Sequence, residues 1–84
     1  MKPEDVLGEL TAILRDTLGD DTVILTMNTV REDVPNWDSL NYITFMVAVQ
    51  SRYGVRFKAS NIEAFANIGE VIQKIIDLKG KVEP

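Results

Sequence analysis

Few residues in this 84-residue sequence have the chemistry to act on a substrate, because it contains no His and no Cys. Those absences exclude Ser-His and Cys-His nucleophilic catalysis, His or Cys metal centres, disulfides and thiol redox chemistry. Carboxylates remain as acid–base groups, but their spacing places no pair in a pocket, and no run has the spacing of a calcium-binding loop. What stands out is Trp37-Asp38-Ser39-Leu40, a carboxylate and a hydroxyl at the entry to an apolar helical pattern. Asp38 is of a type that caps a helix, and Ser39 then falls in the first helical turn. A hydroxyl there is exposed, and nothing in the chain deprotonates it in the Ser-His manner.

The elements that must position this tetrapeptide can be read from periodicity. Pro3, Glu4 and Asp5 suit a helix start. Val6, Leu7, Leu10, Ile13, Leu14 and Leu18 recur at helical spacing before Gly19, predicting a helix over residues 4–18. Residues 19–38 read as an ordered connecting loop. Val23-Ile24-Leu25 has strand propensity but no partner strand, and Val23, Leu25, Met27, Val30, Val34 and Trp37 predict that the loop packs on the core. Such a long connection is either functional or contains a helical turn. Asp38 opens a second helix that runs to Tyr53 and stops at Gly54. Val55 and Phe57 form a short extended link. Ser60 and Glu63 fit a capping box opening a short helix through Phe65, and Asn67 and Glu70 open a last helix that ends at Gly80. The expected architecture is an all-α bundle of three main helices and one short one, a single domain over residues 1–80, with residues 81–84 as a frayed tail.

The second helix carries two apolar stripes. Tyr42, Phe45, Met46, Val49 and Tyr53 lie within about 100° of one another and form a core stripe. Leu40, Ile43 and Val47 form another, about 130° away. Either this helix is central to the bundle or it presents the second stripe to a partner.

Composition narrows the function further. The formal net charge is −4. It divides into net −6 over residues 1–38 and net +2 over residues 39–84. Arg52, Arg56 and Lys58 are a small basic group, not a stripe, so no nucleic-acid partner is expected. The longest apolar run, Phe45 to Val49, is too short for a membrane span. The start Met1-Lys2-Pro3-Glu4-Asp5 lacks the apolar segment of a signal peptide. A cytoplasmic, monomeric protein is expected.

Asp38-Ser39-Leu40, after a long loop and opening the second helix, resembles the attachment motif of the acyl carrier protein family. The likeness extends to Tyr53-Gly54-Val55-Arg56-Phe57, to the short third helix and to the last helix after Asn67-Ile68-Gly69. Trp37 makes the chain more similar to small stand-alone carriers of specialised pathways than to the housekeeping fatty-acid carrier. The resemblance implies that Ser39 is esterified by the phosphate of 4′-phosphopantetheine, delivered from coenzyme A by a phosphopantetheinyl transferase that supplies the base and Mg²⁺. It implies that Asp38, besides capping the helix, helps that transferase place Mg²⁺ and coenzyme A. A phosphodiester on Ser39 meets free backbone N–H groups and the positive end of the helix dipole.

The resemblance also implies partners that load and use the cargo: an acyl or aminoacyl ligase, a ketosynthase or an acyltransferase. Many family members shelter an acyl chain against the core stripe. Here that wall is expected to be Tyr42, Phe45, Met46 and Val49, facing Ile62 and Ile72, with little spare volume. In housekeeping carriers the helix after the serine bears several acids, but the matching Asn41, Thr44, Gln50 and Ser51 are uncharged and Arg52 is the only charge from Ser39 to Tyr53. Docking is therefore expected to fall on Leu40, Ile43 and Val47. The alternatives are a D-alanyl or other aminoacyl carrier, and an unmodified carrier-like interaction scaffold; an enzyme acting alone is not expected.

Overall fold

The computed structural model describes residues 2–80; the tail expected at residues 81–84 lies outside them. Four α-helices, α1 (Pro3–Leu18), α2 (Ser39–Tyr53), α3 (Ala59–Ala64) and α4 (Ile68–Gly80), form the all-α bundle, with no strand among the described residues. α1 packs against both α2 and α4. The core is built from the faces that the spacing marks: Val6, Leu10 and Leu14 of α1, Phe45, Met46, Val49 and Tyr53 of α2, and Ile68, Val71, Ile72 and Ile75 of α4.

Helix ends follow local chemistry. Gly19 and Gly54 both turn left-handed, with φ of 64° and 63°, and return their N–H groups to Arg15 O and Gln50 O. Glycine adopts this conformation without the Cβ penalty that other residues meet. At the far end of α2, the Tyr53 hydroxyl donates to Glu9 of α1, and Arg52 pairs with the same carboxylate at 3.2 Å. Burial first, and then the adjacent Glu9, push the Tyr53 hydroxyl far above the usual tyrosine range.

The start of α3 differs from the Ser60–Glu63 expectation. The helix begins at Ala59, and Asn61, not Glu63, accepts the Lys58 N–H through Oδ1 at 3.0 Å. The competing force is aromatic packing. Phe57 is buried, and its ring meets that of Phe65 edge-on at 5.4 Å, so the helix is held between two aromatic side chains. It ends at Ala64, with Phe65 already extended. The Asn67 expectation holds, since its Oδ1 accepts the Glu70 N–H at 3.0 Å; the Glu70 carboxylate accepts from Ala66.

The connection between α1 and α2 contains one helical turn, a 3₁₀ turn at Arg31–Asp33, and is otherwise irregular. Val23, Leu25, Val34 and Trp37 are buried, as the pattern predicts, and Met27 and Val30 are half-buried. Two main-chain bonds fasten it to the beginning of α4: Ile68 N–H donates to Thr29 O at 3.0 Å and Gly69 N–H to Met27 O at 2.8 Å. These donors belong to a helix start, where no intrahelical acceptor exists. The approach is so close that a Cβ on residue 69 lies 2.9 Å from Met27 O. Gly69→Ala should therefore lower stability by about 1–3 kcal/mol, although alanine is the better helix former. Gly8→Ala, in α1 with open space around it, should raise stability by up to about 1 kcal/mol. Urea denaturation of the two variants measures both, and an equal gain in both means that the loop is not pinned at Gly69.

Candidate functional site

The route from the loop to α2 is a tight turn. Trp37 N–H donates to Val34 O at 3.3 Å, Pro35 follows Val34, and Asn36 has a φ of 68°. Proline second and a left-handed asparagine third is the pattern of a type II turn. The turn sends Trp37 into the core, leaving Asp38 and Ser39 exposed. The Pro35-Asn36 pair is the local signal in the sequence for this turn.

Asp38 is the cap of α2. Its Oδ1 accepts the Asn41 N–H at 2.9 Å, its main-chain carbonyl accepts from Tyr42 N at 2.8 Å, and Asn41 Nδ2 reaches back to Asn36 O at 2.8 Å. Ser39 is the first residue of α2 and is exposed. The hydroxyl thus stands at the positive end of a 15-residue helix.

Beside Ser39 opens a cavity of about 490 Å³, bounded by α2, α3, the start of α4 and the loop. Its apolar wall is Trp37, Tyr42, Ile43, Met46, Ile62, Phe65, Ile68 and Val71. Thr29, Arg31, Glu32, Glu63 and Asn67 supply the polar groups. Tyr42 spans the opening. Its hydroxyl donates to Ile62 O of α3 at 2.9 Å, and the Arg31 guanidinium lies 5.4 Å from its ring centroid, a cation–π contact. Burial pushes the Tyr42 hydroxyl above its usual pKa, against the charge of Arg31.

This wall departs from the expected one. Tyr42, Met46 and Ile62 line the cavity, but Phe45, Val49 and Ile72 lie in the closed core, and the space is larger than the sequence led us to expect. The reason is that α3 is only six residues long and covers one end of α2. Arg31 and Glu32 gave no signal in the sequence, and Asn67 only that of a helix start, because they meet the site only through tertiary contacts.

Leu40, Ile43 and Val47 are 74%, 49% and 60% exposed, so the second stripe of α2 faces outward rather than into a central position. Ile24 of the loop is exposed as well. No group of acids among the described residues forms a metal site, and no described helix is long and apolar enough to cross a membrane.

No protein-family model matches the chain, and no curated protein matches it by sequence. A solved structure does. The chain is similar to the holo acyl carrier protein from Geobacter metallireducens, determined in solution by NMR, with 26% identity and a TM-score of 0.82 over 90% of this chain and 87% of that one. The chain has the acyl carrier protein fold. Structural homology at near-full coverage bears out the resemblance to an acyl carrier protein.

The capping geometry makes a prediction independent of any attached group. Asp38→Ala should cost about 0.5–2 kcal/mol in urea denaturation, whereas Asp38→Asn, which keeps an acceptor oxygen, should retain most of the stability. Equal losses in both variants would mean that the charge of Asp38, and not its hydrogen bond, holds the helix start.

Proposed function

We propose that this protein is a stand-alone carrier that holds an acyl or aminoacyl group as a thioester on a 4′-phosphopantetheine arm attached to Ser39. It presents that group to partner enzymes of fatty-acid, polyketide or other specialised biosynthesis in the cytoplasm. The observation that carries the reading is Ser39 itself: an exposed hydroxyl at the first position of α2, at the edge of a 490 Å³ cavity, in a fold shared with a holo acyl carrier protein.

The residues present fit the arm. The positive end of α2 favours a phosphodiester on Ser39, and the cavity beside it offers an apolar wall to the cargo. When attached, the arm supplies the thiol that carries the cargo. The chain's own part is to expose Ser39, to hold α2 rigid through Asp38, and to shelter what the arm delivers.

A phosphopantetheinyl transferase is the first partner of this reading, with Asp38 helping it to place Mg²⁺ and coenzyme A. Later partners are an acyl or aminoacyl ligase, a ketosynthase or an acyltransferase, docking on Leu40, Ile43 and Val47. Exposed charges act mainly on association rate and salt sensitivity. With Arg52 the only charge on α2, recognition rests on desolvating the apolar stripe.

Attachment is tested by incubating the protein with a fluorescent coenzyme A analogue and a broad-specificity transferase. Ser39→Ala should retain the helical circular dichroism and lose all labelling. Labelling that persists in Ser39→Ala refutes the assignment, and an unlabelled wild type favours an unmodified interaction scaffold.

Docking is tested by association kinetics with a cognate partner at low and physiological salt. The rate should change mildly with salt, and Val47→Asp should weaken binding more than neutralising any single acid does. A steep salt dependence with normal binding by Val47→Asp places the docking surface elsewhere.

A further inference from the structure

Among the described residues, Arg31 is the one base that borders the cavity. It is also the one base on a shallower hollow bounded by Val34, Asn36 and Asp38. Ser39 borders both spaces as well. Whichever way a group attached to Ser39 turns, it shares its surroundings with Arg31. The Arg31 side chain is half-buried, and its guanidinium lies over the ring of Tyr42. Tyr42 is three residues from Ser39 on α2, and side chains at that spacing are neighbours, with about 5–6 Å between their Cβ atoms.

The charge of Arg31 has no anionic partner. Arg15 donates to Val23 O and Arg52 pairs with Glu9, but among the described residues no carboxylate comes within ion-pair distance of Arg31 and no acceptor takes its N–H groups. Its contact is the Tyr42 ring. An aromatic ring takes up the face of a guanidinium, and the N–H fork in the guanidinium plane matches a phosphate. The carboxylates around these spaces are Glu32, Asp38 and Glu63, all exposed. They repel a free anion. A phosphodiester on Ser39 is tethered, so its contact with Arg31 is intramolecular and draws on an effective concentration in the millimolar range. The three acids then give direction, because the tethered anion is repelled on every side except that of Arg31.

We propose that Arg31 is the phosphate-binding residue of this carrier, its guanidinium donating to the phosphodiester that joins the arm to Ser39. This rests on the reading of Ser39 as the attachment site. The contact fixes the root of the arm where the two spaces meet. Lysine, a point charge without the planar fork, replaces Arg31 only in part.

Wild type, Arg31→Gln, Arg31→Lys and Arg56→Gln should be loaded with coenzyme A and a broad-specificity transferase, with intact mass confirming each attachment. Arg56 lies beyond the far end of α2, so its replacement controls for the loss of one charge. The ³¹P resonance of the loaded protein should differ between wild type and Arg31→Gln at about 0.01 M salt and coincide at about 1 M, as the Debye length falls from about 30 Å to about 3 Å. Arg31→Lys should lie between them, and Arg56→Gln should follow wild type. The wild-type resonance should itself move with salt, and a stationary one overturns the proposal without any variant. Thermal unfolding supplies the second readout. At low salt the change in Tm on loading should be more favourable by about 1–5 °C in wild type than in Arg31→Gln, a comparison of increments that removes the cost of losing the Tyr42 contact from the empty fold. Confirmed attachment with the same ³¹P resonance in both, or with equal increments, overturns the proposal while leaving attachment at Ser39 intact. A difference that high salt leaves unchanged reports packing rather than charge and overturns it as well. No mass gain on wild type overturns the attachment reading and this proposal with it.

Discussion

Residues 19–38 must lie on an apolar bundle without leaving buried backbone groups unpaired, and the first amides of α4 make that possible. A helix start has N–H groups with no intrahelical acceptor, and an irregular loop has carbonyls with no ladder. Here each meets the other's need, Ile68 with Thr29 and Gly69 with Met27. Side chains add to these pins: Arg15 Nε donates to Val23 O at 2.8 Å, and the Thr29 hydroxyl accepts the Thr26 N–H at 2.8 Å across a small turn. With Met27 and Thr29 fixed, the 3₁₀ turn and the type II turn leave the chain one path to α2.

That path decides what Ser39 is. Trp37 anchors the inner side of the turn, and Asp38 accepts the Asn41 N–H three residues on, so Ser39, which lies within that cap, is held at a defined place. Across the opening, the Tyr42 hydroxyl ties α2 to α3 through Ile62 O and keeps the short helix in place over one end of the bundle. The site is therefore assembled from four segments, although the residue expected to carry the chemistry is one serine.

What could be read in advance follows the range of the forces involved. Helical periodicity is local, so α1, α2 and α4 and their buried faces were legible from Val6, Leu10, Phe45, Val49, Val71 and Ile75. The buried residues of the loop were legible too, because polar chain with spaced apolar residues has to pack somewhere. Asp38 and Ser39 stood out because cap chemistry is local. Three features were not legible. The cap of α3 fell two residues before the Ser60 that the pattern offered, with Asn61 bonded to Lys58 and Phe57 and Phe65 packed together across the helix. The cavity depended on how much of α2 a six-residue helix covers. The buried Nε1–H of Trp37, which has no hydrogen-bond partner among the described residues, depended on the absence of an acceptor, which no pattern records.

A bundle this small buries a modest core, and one that also encloses 490 Å³ of cavity and an unpaired donor has to keep those costs apart from its stability. The two ends of α2 divide the work. Toward Tyr53, Phe45 and Val49 are fully buried with Leu10, Leu14 and Ile75, and the Tyr53–Glu9–Arg52 cluster ties α2 to α1. Toward Ser39, Tyr42 and Ile43 border open space, and Met46 is the fully buried residue of α2 that also lines the cavity. A methionine suits that boundary, since its unbranched side chain adapts to a changing neighbour more readily than a β-branched one. The cavity thus borders the end of α2 that carries fewer core residues, and the exposed stripe Leu40, Ile43 and Val47 sits on that same helix.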